Sequence, residues 1–425
     1  MEATSADEPI VLHPDTSWCW FQDERAILDN GKLLVGGVTS AGDITVTTYD
    51  LSSGTVTRTI LHERLEVDDH NVPALLVLPD GRYLAAYTRH GTDRLTRFRI
   101  SVRPGDATEW LPEQVFEHPA GATYSNLHYL PAEGSKGRIY NFVRADQWDP
   151  NIMISDDWGR SWRLVGRLVD SGSPRRRPYV KYANNRQDTI HFVLTEDHPN
   201  RTNTSIYHGY LKDGRLSRSD GTLVCDTIFG GKPPRPQDFT PVFVAGDNRT
   251  AWPCDLELDP QGNPCVIYSV VLDPLPRETG RRGMNHVYRY ARWNGQSWQD
   301  VQLAHAGTRL YPAEAEYSGL GAIHPTRPEI VVISTNADPV TGQPILVDGR
   351  RRWELYLGRS PDGGTTWRWE ALTRNSAEDN LRPIIVAQGD IWVLLWLQGR
   401  YETYTKFRQK ALALVKRSAD ISENN

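Results

Sequence analysis

Apolar residues in this chain come in short runs, each closed by Gly, Pro, Asn or Asp, and no long segment repeats its apolar positions every 3.6 residues. That pattern predicts an all-β protein made of small repeated sheets. The stretch Val67 to His90 is its most compact unit. Ala74 to Leu78 is one apolar run, Pro79-Asp80-Gly81-Arg82 supplies turn residues, and Tyr83 to Tyr87 is a second run, so the pair reads as a β-hairpin. A hairpin returns the chain to its starting edge. His70, just before the first strand, and His90, just after the second, are therefore expected to share one rim of a sheet.

Two near-copies punctuate the chain. Ser155-Asp156-Asp157-Trp158-Gly159-Arg160-Ser161-Trp162 and Ser360-Pro361-Asp362-Gly363-Gly364-Thr365-Thr366-Trp367 both fit S-x-D-x-G-x-[ST]-W, and Trp293 to Trp298 is a weaker echo without the Asp. The pattern resembles the Asp-box of bacterial neuraminidase repeats, in which Asp and Ser side chains bond the backbone of a tight turn and a Trp packs beneath it. That resemblance implies the outer hairpin of a β-propeller blade. The two copies lie about four blades apart at roughly 50 residues per blade. Counting strand groups places blades near 17–60, 66–117, 121–170, 176–225, 236–304, 310–372 and 378–416. The expectation is a single-domain, seven-bladed β-propeller over 15–416, with 1–14 an N-terminal extension and 417–425 a disordered tail. Six blades is the alternative, because the strands of 226–290 are hard to count.

Composition narrows the partners. A net charge of −5 gives no reason to expect nucleic acid or an anionic membrane surface. An acidic ligand would be held by a local Arg cluster. Cys19, Cys225, Cys254 and Cys265 are too few and too scattered for a disulfide framework, although one incidental bridge is compatible with them. The opening residues show no basic region followed by an apolar one, and nowhere do 18 apolar residues follow one another. The reading is a soluble monomer, with export left open.

Beyond the two histidines, Tyr124 and Arg144 flank a second strand pair as His70 and His90 flank the first, and Arg177 and Tyr179 open the next. If equivalent blade edges face the axis, these residues converge on one mouth of the propeller. The set suits β-elimination from a uronic acid. Neutralising the carboxylate needs Arg, Asn or a protonated His, a His or tyrosinate takes the C5 proton, and an acid protonates the departing oxygen. Each side chain also has a plain structural role available. His70 after Asp68-Asp69 suits a blade-edge histidine bonded to a carboxylate, tyrosines commonly line rims, and Arg175-Arg176-Arg177 suits a solvated loop.

The segments DDHNVPALLVLPDGRYLAAYTRH, ATYSNLHYL, IYNFVR, SDDWGRSW, RRPYVKY and DHPNRTNTSIYHGY, in this order, resemble the seven-bladed propeller lyases of uronate polysaccharides, including the ulvan lyases. The opening Trp18-Cys19-Trp20-Phe21-Gln22-Asp23-Glu24-Arg25 is similar to the group acting on L-rhamnose-α-1,4-D-glucuronate caps of arabinogalactan and gum arabic. That group holds lyases and a rhamnosidase branch that uses the opposite face and depends on an N-terminal His where the lyases often carry Gln. Gln22 stands in that segment here. The resemblance implies a polysaccharide lyase with His70 and His90 as the paired histidines, Tyr124 or Tyr179 as the tyrosine and Arg144 as the carboxylate-neutralising arginine. Asn71, Arg177, Tyr179 and Tyr207 are the expected substrate contacts.

No redox cofactor is implied. Some of these lyases hold a structural metal, for which His198 and His208, with Cys225 further on, are the candidate zinc or calcium ligands, although their spacing fits no standard zinc pattern. The substrate class implies a secreted or periplasmic enzyme acting on an acidic polysaccharide. Three other functions compete: an ulvan-type endolyase, an α-L-rhamnosidase of the same fold, and a non-catalytic carbohydrate-binding propeller. Glu314, Glu316, Tyr317 and Arg309 suit a sialidase, against which stands the missing Arg-Ile-Pro opening.

Overall fold

The computed structural model describes residues 8–272 and 282–417. Its strands form seven principal antiparallel sheets, one per blade, and in the first six the strands run outward in chain order. The inner strands are Ala26–Asp29, Ala74–Val77, Thr123–Leu130, Val180–Asn184, Thr250–Leu258, Gly321–Ile323 and Asp379–Gln388. The fold is the expected seven-bladed β-propeller. The stretch that obscured the count adds Thr240–Phe243, which pairs with the third strand of blade 4, Ile206–Lys212. No helix of the described residues is long and apolar enough to cross a membrane.

One boundary differs from expectation. Ile10–His13, inside the segment read as an extension, pairs with Lys406–Arg417 and is the outermost strand of blade 7. The ring is thus closed by joining the two ends of the chain. Three apolar residues carry too little pattern to announce a strand whose partner lies some 400 residues away. Of the expected tail, 418–425 lies outside the described residues. All four cysteines are free and buried.

The Asp-boxes sit where blades 3 and 6 turn from third to fourth strand. Ser155 Oγ accepts from the Gly159 amide at 2.8 Å and Asp157 Oδ1 from the Ser161 amide at 2.8 Å, while Ser360 and Asp362 bind the Gly364 and Thr366 amides at 2.7 and 2.8 Å. Blade 5 has a related but shorter turn, in which Asn294 Oδ1 accepts from the Gln296 and Ser297 amides at 2.9 and 2.8 Å. An amide oxygen stands in for the carboxylate, but Arg292 stands where the boxes have their serine, so the weak echo keeps only part of the Asp-box bonding.

Trp18 to Arg25 plugs the central channel. Trp18 Nε1 donates to the Arg382 carbonyl and Trp20 Nε1 to the Ser318 carbonyl, tying the segment to blades 7 and 6. Phe21 stacks on Trp252 of blade 5 at 3.6 Å with 1° between the rings. Gln22 Nε2 donates to the His70 carbonyl before blade 2, and Arg25 to the Ser125 carbonyl of blade 3. Lys181 of blade 4 and Arg382 of blade 7 donate to the Gln22 carbonyl. Polar side chains satisfy an irregular backbone that no sheet can reach, and the aromatics form a dry floor beneath one mouth.

Candidate active site

Asp68 organises the site. It caps the short turn Asp69–Asn71, accepting from the His70 amide at 2.9 Å, and Pro73 then starts the extended path into Ala74–Val77. The same carboxylate takes His70 Nδ1 at 2.6 Å on one oxygen and His90 Nδ1 at 2.8 Å on the other. Strand Tyr83–Thr88 returns His90 to this edge, and the two imidazoles stack 3.9 Å apart at 10°. Both Nε2 atoms therefore point away from the carboxylate. Asp69 supports the arrangement from behind, accepting from the Tyr401 hydroxyl at 2.8 Å.

The environment splits the pair. Burial opposes charge on His70, but the fields of Cys19, Asp68 and Tyr124 and the Asp68 hydrogen bond outweigh it and raise its pKa well above the usual value. Burial lowers His90, and the positive charge of His70 lowers it further. Two stacked imidazoles do not readily share two charges. His70 is thus the cation and His90 the neutral partner, which donates Nδ1–H to Asp68 and keeps the Nε2 lone pair.

Blade 3 supplies the next two groups. Tyr124 sits at φ 67°, in the left-handed region, where the pairing register of Thr123–Leu130 breaks between Thr123 and Asn126. Such strain at a strand edge persists where the surroundings fix it. Here it turns the phenol toward the histidines, with ring centroids 5.6 Å from His70 and 6.4 Å from His90. Its hydroxyl is buried with no hydrogen-bond partner among the described residues. Burial, with Tyr179 beside it, raises its pKa well above the usual tyrosine value, so the proton stays on.

Arg144, ending Arg138–Arg144, is buried with its guanidinium 4.9 Å from the Tyr124 ring and 4.4 Å from the Tyr179 ring. It donates to the Pro178 carbonyl at 2.7 Å, and no carboxylate among the described residues ion-pairs with it. A buried, tyrosine-sandwiched cation with N–H groups to spare is suited to a ligand carboxylate. Tyr124, Arg144 and Tyr179 line a crevice between blades 3 and 4.

Five of the expected residues are therefore together: His70, His90, Tyr124, Arg144 and Tyr179. The rest divide. Asn71 is adjacent, but its amide donates to the Glu66 carbonyl and carboxylate, so it steadies Glu66, which also takes the His90 amide at 3.0 Å. Arg177 lies at the rim over Trp148, 4.8 Å from its ring. Tyr207 is not at the mouth. Side chains alternate along a strand, and Tyr207 packs against the core of blades 3 and 4.

The structure does not bring the two expected metal ligands together. His208 sits within blade 4 with its ring nitrogens engaged by His191 at 3.1 Å and Ser219 at 2.8 Å, whereas His198 lies at the mouth against Tyr179 and Trp252, 5.1 Å from each ring. They share no ligand cluster.

Three further contributors lay outside the set of residues expected at the site. Asp68 reads as half of a common acidic pair. Tyr404, at the tip of the blade 7 hairpin, reaches both imidazoles at 5.1 and 5.5 Å. Glu314, which the sequence placed only in a sialidase reading, is pushed up to about 7 by burial and by Glu316, and its field reaches Tyr404 and Tyr311.

Comparison with known proteins bears on the fold. The profile of the BNR repeat-containing family matches residues 32–306. No curated protein sequence matches the chain. Among solved structures, an ulvan lyase of polysaccharide lyase family PL25 bound to -[GlcA(1-4)Rha3S]- superposes with a TM-score of 0.67 at 17% identity, covering 97% of this chain and 99% of that one. The polysaccharide lyase Uly1 gives 0.58 at 12% identity, over 93% and 90% of the two chains. At such identities the likeness shows a shared propeller.

Proposed function

The chain belongs to the BNR repeat-containing family, and on that premise we propose that it is a polysaccharide lyase that cleaves the L-rhamnose-α-1,4-D-glucuronate linkage by β-elimination. The observation that carries this reading is the split histidine pair under one carboxylate, set beside an arginine that no carboxylate among the described residues neutralises. Arg144 takes the uronate carboxylate, which makes the C5 proton acidic enough to remove. His90 Nε2 accepts that proton. The C5–H electrons become the C4=C5 double bond, the C4–O4 bond breaks, and the Tyr124 phenol protonates O4, giving rhamnose and an unsaturated uronate. His70, cationic, adds positive charge near the developing carbanion, and Asp68 fixes both rings.

Two supports come from outside these five side chains. The resemblance read from the sequence puts Gln22 in the segment where the rhamnosidase branch depends on a histidine, and Gln22 is buried and engaged with the His70 carbonyl. The solved structures of similar fold include ulvan lyases, which also keeps an ulvan-type endolyase as the second reading. The substrate class places the enzyme outside the cytoplasm in this proposal.

Incubation with gum arabic and with ulvan distinguishes the readings. Ultraviolet absorbance of a conjugated uronate on gum arabic, with free rhamnose, is the expected result. Absorbance on ulvan alone selects the endolyase, rhamnose without absorbance the hydrolase, and binding without product a lectin-like propeller.

A further inference from the structure

The mouth has a second wall that the elimination does not use. Asn200, on the loop after the second strand of blade 4, donates Nδ2 to Glu314 Oε2 at 3.0 Å, and His198 Nε2 lies 3.8 Å from the same oxygen. Oε1 accepts nothing among the described contacts. Beside it the Tyr311 hydroxyl is buried without a hydrogen-bond partner among the described residues and lies in the field of Glu314. This wall is connected to the reacting end by a continuous row of side chains. Arg144 faces the Tyr179 ring at 4.4 Å, Tyr179 meets His198 at 5.1 Å, and His198 leads to Glu314.

The two ends of that row differ in charge. Arg144 and His70 make the reacting end cationic, which suits a sugar acid. At the other end the negative group is the Glu314 carboxylate; Glu316, which raises its pKa, is itself ion-paired with Arg282 at 2.8 Å. A carboxylate oxygen with a free acceptor site, a carboxamide and an unpartnered phenol are the groups that bind adjacent sugar hydroxyls. They are poorly matched to a sulfate ester, which would bring a second negative charge into a half-buried site.

We infer that Glu314 and Asn200 form a subsite for an uncharged deoxyhexose with free vicinal hydroxyls, and that Glu314 excludes a sulfated sugar from this position. The inference rests on the lyase reading for the substrate class, with the uronate at Arg144 and its neighbouring sugar lying over His198. It supplies a reason why a chain of this fold would take an unsulfated rhamnosyl cap in preference to a 3-sulfated rhamnose.

Glu314 is surrounded by Asn200, His198 and Arg201 from blade 4, Glu316 and Tyr311 from its own loop, and His70 and Tyr404 across the mouth. Since its carboxyl titrates at about 7, the test belongs near pH 8, where it is charged. Affinities for a rhamnosyl-glucuronate oligosaccharide and its 3-sulfated counterpart are measured by calorimetry on His90→Ala enzyme, which prevents turnover. The unsulfated sugar should bind about tenfold or more tightly. Adding Glu314→Gln should shrink that gap to about twofold or threefold, and adding Asn200→Asp should widen it.

A gap that Glu314→Gln leaves unchanged, tighter binding of the sulfated sugar, or no binding of either would overturn the subsite. The absorbance of wild-type reactions is read separately. A gap that closes as expected in protein that never forms an unsaturated product leaves the subsite standing and removes the lyase reading.

Discussion

His70 and His90 lie face to face at 3.9 Å, and the two oxygens of Asp68 hold one Nδ1 each. One carboxylate thus sets the tautomer and orientation of two imidazoles, and their mutual repulsion assigns the charge to one of them. An acid–base division of labour follows from position alone.

Removing that carboxylate should disable both rings. Asp68→Asn keeps the shape but offers an amide in place of an anion, so turnover is expected to fall about 10²–10⁴-fold, the range of general acid–base catalysis. The pH–rate profile should lose the limb belonging to His90, as steady-state rates from pH 5 to 9 would reveal.

The same cluster makes stability depend on pH in both directions. Burial works against the Asp68 carboxylate, but the His70 and His90 contacts outweigh it and hold the group far below the usual range. A depressed carboxyl contributes stability above its unfolded value near 3.9, and that contribution disappears as pH falls through the folded value. His70, raised, contributes below about 6.5 and loses its contribution as pH climbs toward its folded value. Thermal melts should therefore show a plateau from roughly pH 4 to 6.5 whose two shoulders soften in Asp68→Asn.

Tyr124→Phe separates activity from folding. Its hydroxyl is buried without a partner, so deleting it removes an uncompensated polar group and should leave the protein unchanged or stabilise it by about 1 kcal/mol. Turnover should still drop by about 10²-fold or more through loss of the acid. Melting temperature and rate measured on one preparation decide this; a large loss of stability would mean that the hydroxyl has a partner in solution.

Arg144 is expected to tolerate no substitute. Arg144→Lys keeps the charge but loses the planar fork and the stacking between Tyr124 and Tyr179, and a loss of about 10²–10³-fold in kcat is expected. Lysine activity near the wild-type rate would show that a point charge suffices.

The plug can be tested apart from the chemistry. Phe21 lies flat on Trp252 and edge-on to Tyr179 and Tyr317, so Phe21→Ala should cost about 3–5 kcal/mol, seen as a lower denaturant midpoint.

Much of this was legible in the sequence because the propeller repeats. Blades announce themselves through alternating apolar runs and turn residues, and the hairpin rule alone predicted that His70 and His90 would meet. What stayed hidden depends on contacts between distant blades. Ile10–His13 is a strand only because the last hairpin waits for it, and Tyr404 reaches the histidines from the opposite end of the chain. Tyr207 misled for a local reason, since motif order says which strand a residue is on but the strand's own alternation decides which way it faces. His198 and His208 failed as a metal pair because a shared stretch of sequence spans the mouth and the interior of one blade.

The central claim is that neutral His90 removes the uronate C5 proton. It is tested most directly by following conjugated-uronate absorbance on an unsulfated rhamnosyl-glucuronate substrate with wild-type and His90→Ala enzyme side by side. Rising absorbance in the wild type and none in the variant, at matched melting temperatures, is the predicted result; rhamnose released without absorbance, or an undiminished rate in His90→Ala, would contradict it.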